Sequence, residues 1–251
     1  MQKLLLPLLI GCTLASSLVQ ADTFSDNIKA AMKAEARSEK DKDRDRNRRP
    51  VQTLEFLGIQ ENMKVLELIP GGGWYTALLA PALKDKGQLY LGMAGDRIKD
   101  GLLKQKAFSK VKTVSNDSKW ERNKEEKRYD LSNIDFGVKD LDAVLTFRNY
   151  HNLSLATRTA VNVEALKSLK PGGIYGIVDH TRRHMQSEND ENGRRVDPVL
   201  VIKEVEAAGF EFVDYSNLHY KADDELRYEV GRKSVTGNSD RFTLLFKKPM
   251  K

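Results

Sequence analysis

The chain has 251 residues, 40% of them hydrophobic and 31% charged, with a formal net charge of +6. That length suits one α/β domain of ordinary size, and a single cysteine excludes an internal disulfide framework or a cysteine metal cluster. The charges are mixed in sign and carry no RNA- or DNA-binding motif, so nucleic acid is not expected as a partner; the modest cationic excess favours acidic ligands or anionic lipid surfaces.

The amino end reads as a targeting segment. Met1-Gln2-Lys3 is a short positive start, residues 4–19 are mostly apolar, and Val19-Gln20-Ala21 offers a cleavage site. Residues 1–21 are therefore expected to be a signal peptide, with cleavage after Ala21 and a periplasmic or secreted product. Leu9-Ile10-Gly11-Cys12 resembles a bacterial lipobox and offers a rival route, with a lipid anchor on Cys12. The apolar run is short for a membrane span.

Residues 22–50 predict a charged helical segment. Ile28, Met32 and Ala36 form a weak apolar stripe, and Arg44, Asp45, Arg46, Arg48 and Arg49 crowd its end. Two readings stay open: a solvated face with local ion pairs, or arginines that fold back over a ligand edge. Pro50 closes the segment.

Residues 51–251 alternate strand and helix. A short apolar helix over 53–59 precedes strand one at 64–69. Three glycines, Gly71, Gly72 and Gly73, then break the chain before a helix over 74–83. Strand, glycine turn and helix form a ligand cradle at the carboxyl edge of an open sheet. Strands follow at 88–93 and 110–114, separated by a helix suggested by Ile98, Leu102 and Leu103. Residues 115–127 read as loop with Trp120 as a packing anchor, and 129–136 as irregular. Strand four spans 141–147, followed by a helix over 155–169, a Lys170-Pro171-Gly172-Gly173 turn and strand five at 174–178. Residues 181–195 are a candidate lid. A helix over 198–208, a strand over 210–215, an irregular charged stretch over 220–238 and a last strand over 241–246 complete the chain. The pattern predicts a mostly parallel sheet covered by helices on both faces.

Polar side chains gather at strand ends, where such sheets place their sites. His151 after strand four is a candidate proton acceptor, and Asp179 after strand five could orient it or bind substrate. His180, Arg182 and Arg183 are candidates to hold a carboxylate or phosphate on a small substrate. His151, His180 and His184 with Asp179 have the residue types for a metal site, although the spacing follows no known motif. Tyr150 and Trp74 could pack on a ring or simply belong to the core.

The order of these features resembles the Rossmann-like, class I S-adenosylmethionine-dependent methyltransferases, and more closely a group of bacterial exported proteins labelled predicted methyltransferases. The residues that carry the resemblance are a charged stretch from Asp45 to Pro50, Pro70-Gly71-Gly72-Gly73-Trp74-Tyr75-Thr76, Asn149-Tyr150-His151-Asn152, Asp179-His180, Glu206 to Phe210, and Asp240 to Phe246. The resemblance implies S-adenosylmethionine as cofactor, held by Glu67, Gly71, Gly72, Gly73, Asn149 and Tyr150. It also implies methyl transfer to a small molecule. One departure stands out: Gly92 and Met93 occupy the end of strand two, where such enzymes carry an acid for the ribose, and Asp96, a few residues on, is the candidate to bind the cofactor there if the loop curls back. The alternatives are a non-catalytic ligand-binding protein of the cell envelope that keeps the fold, and a metal-dependent hydrolase.

Overall fold

The computed structural model describes residues 19–114 and 117–251. The lipobox at Cys12 and most of the expected signal peptide lie outside them. The strands are β1 (Lys64–Leu68), β2 (Gln88–Gly92), β3 (Lys112–Val114), β4 (Lys119–Asn123), β5 (Arg128–Ser132), β6 (Leu141–Phe147), β7 (Leu169–His180), β8 (Glu211–Ser216) and β9 (Arg241–Lys247). Seven form one sheet in the order β3-β2-β1-β6-β7-β9-β8, and β4 and β5 make a separate hairpin. β9 runs antiparallel to both neighbours; the remaining sheet pairs are parallel. The helices are α1 (Val19–Met32), α2 (Glu39–Lys42), α3 (Asp45–Arg48), α4 (Pro50–Phe56), α5 (Thr76–Leu83), α6 (Leu155–Ser168) and α7 (Pro198–Ala207). None of the described helices is long and apolar enough to cross a membrane.

Period-two alternation sorts the buried strands between two cores. Val65, Ala143, Leu145 and Phe147 pack with α1, α4 and α5 through Ile28, Leu54 and Leu78. Leu66, Leu68 and Val144 pack the other way, with Val161 and Ala165 of α6 and Val201 and Val205 of α7. Helices therefore cover both faces, as the alternation of elements predicts. β1 pairs with β2 on one side and with β6 on the other. The chain reverses its direction of travel across the sheet there, which opens a crevice at the carboxyl ends of β1 and β6.

Two local expectations differ from the structure, and a third region shows its anchor. The helix expected around Ile98 to Leu103 is three short 3-10 turns, interrupted at Gly101, a residue that costs helix stability. The stretch expected as loop and irregular chain is the β4–β5 hairpin, closed by an edge-on Trp120–Tyr129 pair. It is exposed or half-buried throughout, so it carries no apolar alternation to read. The loop over 181–195 is pinned at its far end: Arg195 is fully buried and donates to Thr181 O, Tyr228 O and Asp224.

Candidate active site

At the crevice, β1 ends in a bend with Ile69 at φ 51° and Gly71 at φ 60°. The Gly73 amide donates to the Pro70 carbonyl at 2.9 Å and tightens it. A side chain at Gly71 or Gly72 would meet nothing within 4 Å, whereas one at Gly73 would strike Leu102 at 2.6 Å. Two of the three glycines thus face open space. The third serves close packing against the 3-10 turns.

Above the bend lies a cavity of about 280 Å³, lined by Glu67, Gly71, Gly72, Asn149, Trp74 and Tyr75 among others. Glu67 sits on the α5 side of β1 and accepts a 2.7 Å hydrogen bond from Thr76 Oγ1. Burial pushes its carboxyl up to about 8, against the opposing pull of Thr76 and Arg48. Asn149 Nδ2 donates to Ile69 O and Phe147 O and so ties the ends of β1 and β6 together. Tyr75 stacks on Phe147 with centroids 3.6 Å apart.

The roof is the amino-terminal segment. Arg37, buried, pairs with Asp45, and the Trp74 indole donates to Asp41 O at 2.9 Å. The Arg48 carbonyl accepts from His219 Nε2 and Thr53 Oγ1, and the Asn47 carbonyl from Arg241. These anchors set the Arg48 guanidinium over the Trp74 ring at 4.4 Å. Arg44 and Arg48 line the cavity with Arg148, so two arginines of the segment fold back over this edge, while Arg46 and Arg49 stay exposed and local ion pairs join Lys42 to Glu39 and Arg44 to Asp41. Burial first, then Arg148, lowers the Arg48 guanidinium to about 9. Arg148 and Arg241 are lowered too, burial leading in each case.

A second cavity, of about 530 Å³, lies next to the first and is lined by Arg128, Lys127, His151, Asn152, Glu188 and Arg194 among others. His151 Nδ1 is 2.6 Å from Asp179 Oδ1, and Asp179 also accepts from the His151 and His180 amides. The charges here pair with each other: Arg128 and Arg182 with Glu188, Arg194 with Glu229, and Lys127 with Asp190.

Several sequence-predicted residues stand elsewhere than expected. His151 opens on the second cavity, not on the cradle. Tyr150 turns into the core, where its hydroxyl meets Glu204 and Asn162 at 2.9 Å each. Asp96 is exposed on a 3-10 turn, and buried Met93 holds the end of β2. His180 is buried and occupied: Nε2 accepts from Arg148 Nε, and Nδ1 faces Ser239. Burial holds its imidazole well below the usual range, so it is neutral. Arg182 is committed to Glu188, and Arg183 is exposed. His184 pairs with Asp197 rather than joining the other two histidines, and among the described residues no group of three or more His, Cys, Asp or Glu could hold a metal ion. Arg148 was missed; its place beside Asn149 at a strand end was the available signal.

No protein-family model matches the chain, and no curated protein matches it in sequence. In fold it is similar to a SAM dependent methyltransferase from Aquifex aeolicus, with a TM-score of 0.57 and 16% identity over 89% of this chain and 98% of that one. It is similar to the [4+2]-cyclase SpnF, with a TM-score of 0.56 and 16% identity over 82% of this chain and 81% of that one. A TehB-like SAM-dependent methyltransferase from Corynebacterium glutamicum follows at 0.51 and 12%, over 81% and 87%. The fold is thus the Rossmann-like fold of class I methyltransferases. The cyclase is a reminder that a fold hosts more than one chemistry.

Proposed function

We propose that the chain binds S-adenosylmethionine at the β1–β6 crevice and transfers its methyl group to a small molecule. The observation that carries this reading is the open glycine bend at the switch point: Gly71 and Gly72 face a cavity in which no side chain fills their Cβ positions. Glu67, Gly71, Gly72 and Asn149 are the residues that would hold the cofactor, Glu67 by accepting from its amino group. When bound, the cofactor supplies an electrophilic methyl carbon. The acceptor's lone pair forms the new bond to carbon as the carbon–sulfur bond breaks and its electron pair stays on sulfur. The protein's part is to hold the two in line and keep water out. Asp179 has a positioning role, since it fixes the chain of contacts through His180 to Arg148.

Calorimetric titration of the folded protein with S-adenosylmethionine tests the reading. Saturable one-site heat is expected. Its absence, with the protein shown to be folded, would sink the proposal. Because a neutral Glu67 must ionise to serve a cationic ligand, affinity should rise with pH up to about 8 and then level. Glu67→Gln should flatten that rise.

The cationic roof favours a second reading, a non-catalytic protein that keeps the cradle for an anionic ligand. In that case an anion binds and S-adenosylmethionine does not. Export is proposed as well, on the pattern of residues 1–21; sequencing the amino terminus of the protein from its native host would reveal a start at Asp22 or, for the lipid route, at Cys12. A start at Met1 would rule out both.

A further inference from the structure

Arg48 is 7% exposed, lines the cradle cavity, and its guanidinium makes no hydrogen bond and no ion pair among the described residues. Arg148 lines the same cavity and spends only Nε, on His180 at 3.0 Å. Arg44 has Asp41 at 3.2 Å, and Glu67, the other carboxyl of the cavity, is largely uncharged at neutral pH. Two guanidinium groups, one buried and one half-buried, are therefore held at one edge with no carboxylate in ion-pair reach; buried Asp179 acts on Arg148 only from farther off. Three other buried arginines are neutralised, Arg37 by Asp45, Arg158 by Glu204 and Arg195 by Asp224, and buried Arg241, which has no ion pair among the described residues, at least spends a donor on the Asn47 carbonyl. An uncompensated buried cation is costly, and two together repel. S-adenosylmethionine does not relieve this, since its sulfonium and ammonium outweigh its one carboxylate.

We propose that Arg48 and Arg148 form a clamp for an anionic group, a carboxylate or phosphate, on the acceptor molecule, which binds beside the cofactor and strengthens its binding. The inference rests on the methyl-transfer reading for the word acceptor, but the clamp itself stands on the two unpaired guanidinium groups. Their planar forks suit two oxygens of one anion. His180, neutral and accepting from Arg148, and the backbone anchors around Arg48 set the two forks without competing for the ligand. The sequence candidates for this task, Arg182 and Arg183, do not line the cavity.

The probe is inorganic phosphate, followed by thermal shift and by calorimetry, with S-adenosylmethionine absent and present. Phosphate should raise the Tm of the wild-type protein and not that of Arg48→Met or Arg148→Met. Each variant should bind phosphate roughly 10–100-fold more weakly, while Arg227→Gln, on the exposed surface, should bind like wild type. Arg48→Met should also keep or raise the Tm in phosphate-free buffer, because it removes an unpaired buried charge. Phosphate and the cofactor should each tighten the other by the same factor. No phosphate response from folded protein overturns the clamp. Competition between phosphate and cofactor overturns it as an acceptor site and gives the arginines to the cofactor's own carboxylate. Phosphate binding that needs both arginines, with no cofactor binding, leaves the clamp standing and removes the methyl-transfer reading.

Discussion

The two cavities at the carboxyl edge are both rich in arginine, yet they differ in how the charge is settled. Around His151 each of Arg128, Arg182 and Arg194 has a carboxylate within ion-pair reach. In the cradle Arg48 and Arg148 have none, and the nearest buried carboxyl, Glu67, is pushed towards its neutral form. The His151 cavity answers its arginines from within, save exposed Arg122; the cradle lacks a negative charge that a ligand would bring. Counting charged residues would rank them alike, and only pairing separates them.

The largest effect should come from closing the cradle. Gly72→Leu places a side chain where a Cβ meets nothing within 4 Å, so the fold and the Tm should survive. Cofactor affinity should fall about 100-fold by calorimetry; unchanged affinity would mean the ligand sits elsewhere. Next comes the shared support of the two sides. Asp179 is wholly buried and accepts three hydrogen bonds, so Asp179→Asn should cost ~3 kcal/mol in denaturant unfolding, since an amide turns a donor towards donors.

Acid should loosen the roof. Burial lowers His219 to about 4 and His180 well below its usual value. Both are neutral when folded and take up a proton more readily unfolded. Their stability contribution is therefore present above pH 6.5 and is lost as pH falls towards 4. For His219 alone the loss is ~3 kcal/mol, and a pH series of unfolding curves would show it. A flat profile between pH 6.5 and 4 would mean that neither ring is held neutral. The smallest effect should come from the self-paired cavity. Glu188→Gln should leave cofactor and phosphate affinity as they are. A marked loss of either affinity would move the ligand site to the His151 side.

How far this was legible in the sequence follows from how local each signal is. The glycine bend, the strand before it and the helix after it depend on residues within a dozen positions, and they stand where the pattern put them. The mostly parallel sheet follows from alternation of strand and helix. Direction at a strand end does not. Asn149, Tyr150 and His151 are consecutive, yet Asn149 lines the cradle, Tyr150 enters the core and His151 opens on the neighbouring cavity. A 3-10 turn over Tyr150–Asn152 rotates each side chain by about a third of a turn, and spacing carries no sign of where that rotation starts. Arg48 was one of several arginines in a run. What singles it out is its buried place and want of a partner, fixed by Thr53 one turn on and by His219 far along the chain.

Hydrogen–deuterium exchange with and without S-adenosylmethionine reads the central claim most directly. Slower exchange is expected in the glycine bend at 69–76 and in the roof at 41–49, with peptides 122–128 and 188–194 unchanged. Slowing confined to the latter two would place the ligand in the self-paired cavity and contradict the account.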